Sequence, residues 1–186
     1  RMDYRQKGNT HIPFTMGNLS LGYELDSMSN IGASIGLTSF AMKNDGHPMT
    51  TFSGGPYGTG FSYGNEMTMK NKNTSFNGSI DYQRFFNKAR TSSLTLSYLF
   101  STTPAENTNL RVYDPLPAGV TIPLKDLYSE AKMRGTEHTV QVDYTTPIGK
   151  GQTLSTGLKF IARRNSSDSK FYDIVSGTNV YNANNS

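Results

Sequence analysis

The residues of this chain that could do chemistry are aromatic rings, three histidines, scattered carboxylates and many hydroxyls, and their spacing decides among them. His11, His47 and His138 lie far apart and form no HExxH or similar local metal pattern, so each is expected in a loop or near a strand end. Asp45, Asp114, Asp126, Glu130, Asp168 and Asp173 lack the spacing of a calcium loop and are expected as solvated carboxylates. GGPYGTG at 54–60 is glycine-rich but has no lysine to meet a phosphate and opens no helix, which makes it a flexible outer loop. Serine is abundant, yet no GxSxG elbow and no Ser, His and acid arrangement stands out, and there is no cysteine. No catalytic residue, metal site or cofactor is therefore expected. What remains is stacking and charged hydrogen bonding from Tyr57, Phe61, Tyr63, Arg111, Tyr113 and Tyr128, suited to a nutrient, a glycan or a peptide. The competing role for these six is to pack two loops together.

The elements that must hold these residues are strands. Six segments alternate apolar and polar side chains with a period of two, where a helix would need about 3.6. Leu19, Leu21, Tyr23 and Leu25 oppose Ser20, Gly22 and Glu24, and Ile31, Ala33, Ile35 and Leu37 oppose Gly32, Ser34 and Gly36. The pattern recurs with Phe76, Ile80 and Tyr82, with Leu94, Leu96, Tyr98 and Phe100, with Val140, Val142 and Tyr144, and with Leu154, Leu158 and Phe160. Arg84 breaks the apolar face near a strand end, where a long side chain can reach an interface.

The connections alternate in length. Short turns near Ser27, Lys88 and Gly149 join the members of three hairpins, while polar insertions at about 43–72 and 102–136 separate one hairpin from the next. Strands that cross a layer in turn then place every short turn on one side and every long insertion on the other, as transmembrane barrels do. Phe61, Tyr63, Met67 and Met69 would upset this parity as a separate crossing, so they are assigned to the outer hairpin or to an outward extension of the Phe76 strand. In the second insertion three prolines favour turns, and Leu124, Leu127, Tyr128 and Ala131 recur at helical spacing, which predicts a short helical stretch.

Composition narrows the class further. The 186 residues are 34% apolar and 17% charged, against about 25% charged in an ordinary soluble domain, and the polar remainder is Ser, Thr, Asn and Gly. Eleven Tyr and ten Phe, set in alternating segments, exclude a charged disordered chain. A net charge of +4 spread along the sequence gives no stripe for nucleic acid. No apolar run approaches the roughly 20 residues of a spanning helix, but a barrel strand needs only about 10. The polar faces carry Ser, Thr, Gly, Asn and Gln where a solvated face commonly carries Lys and Glu, and aromatic residues sit toward strand ends as interfacial girdles do. The expected fold is all-β, an antiparallel meander of about six long strands forming one segment of a larger transmembrane barrel, with Leu19, Leu21, Ile35, Leu94, Leu96, Val142 and Leu158 facing lipid. A soluble β-sandwich or partial-barrel binding or adhesion module is the alternative and would bury the same side chains in a closed core.

The passages LSLGYELDSMSNIGASIGLTSF, SIDYQRFFNKARTSSLTLSYLFS and TEHTVQVDYTTPIGKGQTLSTGLKFIARRNSSDSKFYD resemble successive hairpins of the TonB-dependent receptor-like outer-membrane β-barrel proteins of Bacteroidetes. The resemblance implies a cell outer-membrane location and a barrel of roughly 22 strands preceded by a plug. It also implies uptake of a bulky nutrient driven through TonB, and an outer loop beginning at NSSDS. Six strands, with no TonB box and no plug, make this chain a fragment in expectation. Its partners would be the rest of the barrel and its plug, outer-membrane lipid, the nutrient ligand, and TonB through the parent protein.

Overall fold

A computed structural model describes residues 2–53, 60–120 and 122–183. Ten strands form one antiparallel sheet: β1 (Met2–Arg5), β2 (Gly8–His11), β3 (Phe14–Asp26), β4 (Ser29–Gly46), β5 (Met49–Phe52), β6 (Phe61–Phe85), β7 (Ser93–Tyr113), β8 (Leu127–Pro147), β9 (Thr153–Val175) and β10 (Thr178–Tyr181). Each of the long strands pairs with its sequence neighbours, the plainest antiparallel topology.

The ten strands reduce to six long ones. β4 and β5 pair with β6 in one continuous register, from Ser29 opposite Arg84 to Phe52 opposite Phe61, interrupted only at His47 and Pro48. β1, β2 and β3 likewise keep one register along β5 and β4 from Met2 to Glu24, interrupted at Gln6–Lys7 and Ile12–Pro13, and it shifts by one residue between Glu24 and Asp26. Proline has no amide hydrogen to give the ladder, which accounts for the breaks beside Pro13 and Pro48. Within β7, Pro104 coincides with a gap in the β6 ladder at Thr74 and Ser75.

The strands run well past their apolar halves, and here the sequence expectation is corrected. Of the insertion expected at 43–72, residues up to 46, 49–52 and 61–72 are strand; of that at 102–136, residues 102–113 and 127–136 are strand, and the described residues between 114 and 126 are not. Phe61 to Phe85 is one strand, so the outward-extension assignment of Phe61 to Met69 holds and the parity of the crossings survives. Leu127, Tyr128 and Ala131 pair in β8 with Asp173, Tyr172 and Ser169, not in a helix. NSSDS belongs to β9, which continues to Val175 and turns through Ser176 and Gly177, at φ 51° and 78°, into β10. Two successive positive φ values match the tight turn that right-twisted hairpins favour.

The short-turn ends are tied together. Asp26 Oδ1 accepts from the Met28 amide at 2.7 Å, and Arg84 Nη1 donates to Asp26 Oδ2 at 3.0 Å and to Ser29 Oγ at 2.9 Å. Arg90 donates to the Ser27 carbonyl at 3.0 Å while its guanidinium lies 5.2 Å from the Phe85 ring centre. Arg84 thus breaks the apolar face in order to clasp two neighbouring turns.

Pairing register converts each alternating strand into shared rows. On one face run Ile31, Tyr82, Leu96, Val142 and Leu158, then Ala33, Ile80, Tyr98, Val140 and Phe160 in the next row. The opposite face carries Gly32, Asp81, Ser97, Gln141 and Lys159 across the same strands. There Ser34 and Ser79 hydroxyls meet at 2.8 Å, Gln141 donates to Asp143 at 2.7 Å, and Arg163 grips Glu137 at 2.6 and 2.8 Å.

No apolar side chain is buried among the described residues. Leu21 is 67% exposed, Phe160 69% and Leu158 81%. Burying one such side chain is worth about 1.5 to 3 kcal/mol, so a single sheet leaving all of them uncovered forfeits the main driving force for folding in water. The outer edges of β3 and β9 are also largely unpaired among the described residues.

Candidate functional site

Beyond the apolar band the sheet becomes polar on both faces, and its far end gathers aromatic rings. β5 and β6 are matched so that Phe52 stands opposite Phe61, which places both with Tyr63 on the polar face. Ring centres lie 5.3 Å apart for Phe52 and Phe61, 6.2 Å for Phe52 and Tyr63, and 6.3 Å for Phe61 and Tyr63, all nearly parallel. Tyr113, opposite Asn65 at the end of β7, extends the row, with its ring 6.2 Å from Tyr63. Arg111, two residues before Tyr113, shares that face and pairs with Met67 and Leu127.

Three of the sequence candidates, Phe61, Tyr63 and Tyr113, therefore form one platform, with Arg111 on the same face. Tyr128 does not belong to it. Its position opposite Leu110 and Tyr172 puts it on the other face, where its ring meets Tyr172 at 5.7 Å and Tyr172 meets Tyr181 at 5.8 Å. Tyr57 lies outside the described residues. Phe52 was missed by sequence reasoning, although a signal existed: FSGGPYGTGF is a glycine-rich run flanked symmetrically in sequence by two phenylalanines. Tyr172 and Tyr181 face each other only because β9 turns back at Ser176.

The platform is braced from behind. Gly64 separates Met49 from the β7 end, and a Cβ there would run into the Asp114 carboxylate and stand 2.6 Å from His47 Cε1. With no side chain at 64, His47 Nε2 reaches Asp114 Oδ2 at 2.9 Å. Asp126 accepts from the Tyr113 amide at 2.7 Å, and its own carbonyl accepts from the Ile174 amide at 3.1 Å, so the 114–126 segment is pinned to both β7 and β9. Beneath it lies a cavity of about 410 Å³ lined by Tyr113, Leu124 and Ile174 among others.

The outer extensions are held by hydrogen bonding and charge. Asp45 takes hydrogen bonds from Lys43 and from Thr68 Oγ1, the latter at 2.8 Å, and these, with Lys70 nearby, hold its carboxyl below the ordinary value of 3.8. The Tyr172 phenol is pushed up by burial and by the Glu130 carboxylate. Asp45, Glu130, Asp168 and Asp173 all sit in strands rather than loops. His138 accepts or donates through Nδ1 to the Tyr98 hydroxyl at 2.8 Å, while His47 pairs with Asp114. Among the described residues no three metal-ligating side chains converge.

An antiparallel meander with one apolar and one polar face, its three long hairpins all turning tightly on the same side, is the geometry of a barrel wall. Residues 84–186 match the outer membrane protein beta-barrel family. The chain belongs to that family. Membership gives it an outer-membrane location and makes it a non-catalytic barrel component, in keeping with the lack of any catalytic pattern in the sequence. The match covers the hairpins β7 to β10 with the end of β6. None of the curated proteins matches the chain.

Proposed function

We propose that this chain is a wall segment of a TonB-dependent outer-membrane receptor, and that its aromatic platform lines the mouth through which a bulky nutrient enters. One observation carries the reading: an uncovered apolar band on one face of a single-layer sheet, backed by a polar face of hydroxyls, amides and paired charges. Lipid covers such a band without a second protein layer, and a watery or plugged lumen accommodates the other face. Leu19, Leu21, Ile35, Leu94, Leu96, Val142 and Leu158 all lie on the apolar face and form its lipid contact. The free edges of β3 and β9 take further strands of the parent barrel, since unpaired edge groups cost several kcal/mol each in hydrocarbon.

The ligand surface consists of Phe52, Phe61, Tyr63, Tyr113 and Arg111, joined by Tyr57, which falls between Phe52 and Phe61 in the sequence. Flat rings beside a guanidinium suit a sugar ring or a peptide backbone. TonB and the plug act through the rest of the parent protein. The test is the mass and the heat-modifiable migration of the complete mature gene product from detergent-extracted outer membrane. A product several times larger than this chain that shifts on heating is expected. A detergent-independent soluble product of this length would overturn the reading in favour of a binding or adhesion module.

A further inference from the structure

Between β8 and β9, on the apolar face at the upper limit of its band, lies a groove of about 610 Å³ lined by Arg134, Thr136, His138, Ala162, Arg164 and Ser166, with Arg163 also at its wall. Below it run Val140 and Phe160, the latter 69% exposed. Above it the face sets carboxylates among its cations: Lys72, Glu106, Lys132 and Asp168 form one row, and Lys43, Lys70, Thr108, Glu130 and Lys170 the next. The two rows that frame the groove carry cations as their only charges. One holds Thr74, Pro104, Arg134 and Ser166, and the other Phe76, Thr102, Thr136 and Arg164, so two guanidinium groups enter without a carboxylate. The nearest acids are engaged elsewhere: Asp168 lies 3.6 Å from Lys170, and Glu137 is on the opposite face with Arg163.

From this juxtaposition we infer that the Arg134 and Arg164 groove binds the phosphate of a phosphorylated lipid in the leaflet on the side away from the short turns. Guanidinium forks match phosphate oxygens in pairs, and the Thr136 and Ser166 hydroxyls add donors at the same level. Acyl chains then descend over Ala162, Phe160 and Val140. Two guanidinium groups without a carboxylate in their rows thus stand at the height where a headgroup meets hydrocarbon.

The inference rests on the membrane-barrel reading, and its test separates the two. Full-length parent protein is placed in phosphatidylcholine bilayers doped with a phosphorylated glycolipid or with the same glycolipid dephosphorylated, and retained glycolipid is counted by native mass spectrometry. Wild type is expected to retain the phosphorylated form selectively. The double variant Arg134→Gln, Arg164→Gln is expected to lose roughly thirtyfold in retention, at about one tenfold step or somewhat less per cation, and Arg134→Lys, Arg164→Lys to keep much of it. A heat-modifiable, inserted Gln variant that retains lipid as wild type does would overturn the phosphate site and leave the barrel standing. Equal retention of both glycolipids by wild type, or stripping of the lipid by inorganic phosphate, would overturn it as well. A wild-type product that neither inserts nor shifts on heating would remove the barrel reading itself.

Discussion

Arginine introduced at Val140 should be far more damaging than arginine introduced one residue position across the sheet at Ser97. Arg84, at one limit of the apolar face, and Arg164, at the other, lie in the first and last of five rows. Rows are two residues apart, about 6.8 Å along a strand, so the four intervals span about 27 Å, or about 20 Å along the bilayer normal at a tilt near 40°. The middle row is Ala33, Ile80, Tyr98, Val140 and Phe160, and Val140 is 47% exposed there. Arginine at the midplane costs about 2 to 4 kcal/mol, roughly 30- to 900-fold in the folding equilibrium, and falls to about 0 to 1 kcal/mol near an interface. Ser97 lies on the polar face between Asp81 and Gln141, where an added cation finds a carboxylate. Thr136→Arg, on the apolar face but at its upper limit, should fall within the interfacial range. The assay is the urea dependence of folding of the full-length protein in lipid vesicles, followed by heat-modifiable migration. Equal costs at Val140 and Ser97 would refute the assignment of faces, and equal costs at Val140 and Thr136 would refute the placement of the midplane.

Other perturbations test the outer end. Tyr63→Ala combined with Tyr113→Ala should weaken ligand binding by the parent receptor by about tenfold, at about 0.5 to 1.5 kcal/mol per stacked contact, whereas Tyr128→Ala, on the opposite face, should leave it unchanged; equilibrium binding to intact cells reads both. Because the Asp45 carboxyl is held below its ordinary 3.8 by Lys43, Thr68 and Lys70, its stabilisation is complete above that value and disappears as pH falls through the lowered one. Amides at 43–46 and 67–70 should therefore exchange faster on acidification, and Asp45→Asn should remove that pH dependence while leaving the short-turn ends unaffected. Gly64→Ala should force Asp114 away from His47 and lower local protection of the β6 and β7 ends by up to about 1 kcal/mol, the usual scale of an exposed ion pair.

The apolar half of the fold was legible because lipid or core contact enforces a period of two. Every hairpin partner predicted from Leu19 to Phe160 is paired as expected, and the three short turns fall where the alternation stops. Beyond Leu37, Phe76, Phe100 and His138 the same strands continue with both faces polar, and the signal vanishes although the backbone does not change. Lys72, Glu106, Lys132 and Asp168 look like loop residues one at a time; they make sense as a strand row only once register sets them side by side, where opposite charges contribute about 0.2 to 1 kcal/mol per pair. The same loss of contrast let Leu124, Leu127, Tyr128 and Ala131 pass for a helical stripe, when Leu127 and Ala131 face one way and Tyr128 the other. Of the candidate site, the aromatic residues of β6 and β7 were found, but which face each one takes depends on parity counted from the apolar band, and that count needs unbroken strands.

The length of those unbroken strands has its own consequence. From the row of Phe76 to Phe61 the β6 backbone climbs fifteen residues, about 50 Å of strand and roughly 38 Å along the bilayer normal at the same tilt near 40°. On the barrel reading proposed above, these extensions stand well clear of the hydrocarbon. On that reading a solute meets the rings of Phe61, Tyr63 and Tyr113 before it is near the bilayer. On the same reading, whatever grips this protein from outside the cell, whether an antibody or another cell's adhesin, meets the strand extensions before the lipid-facing band.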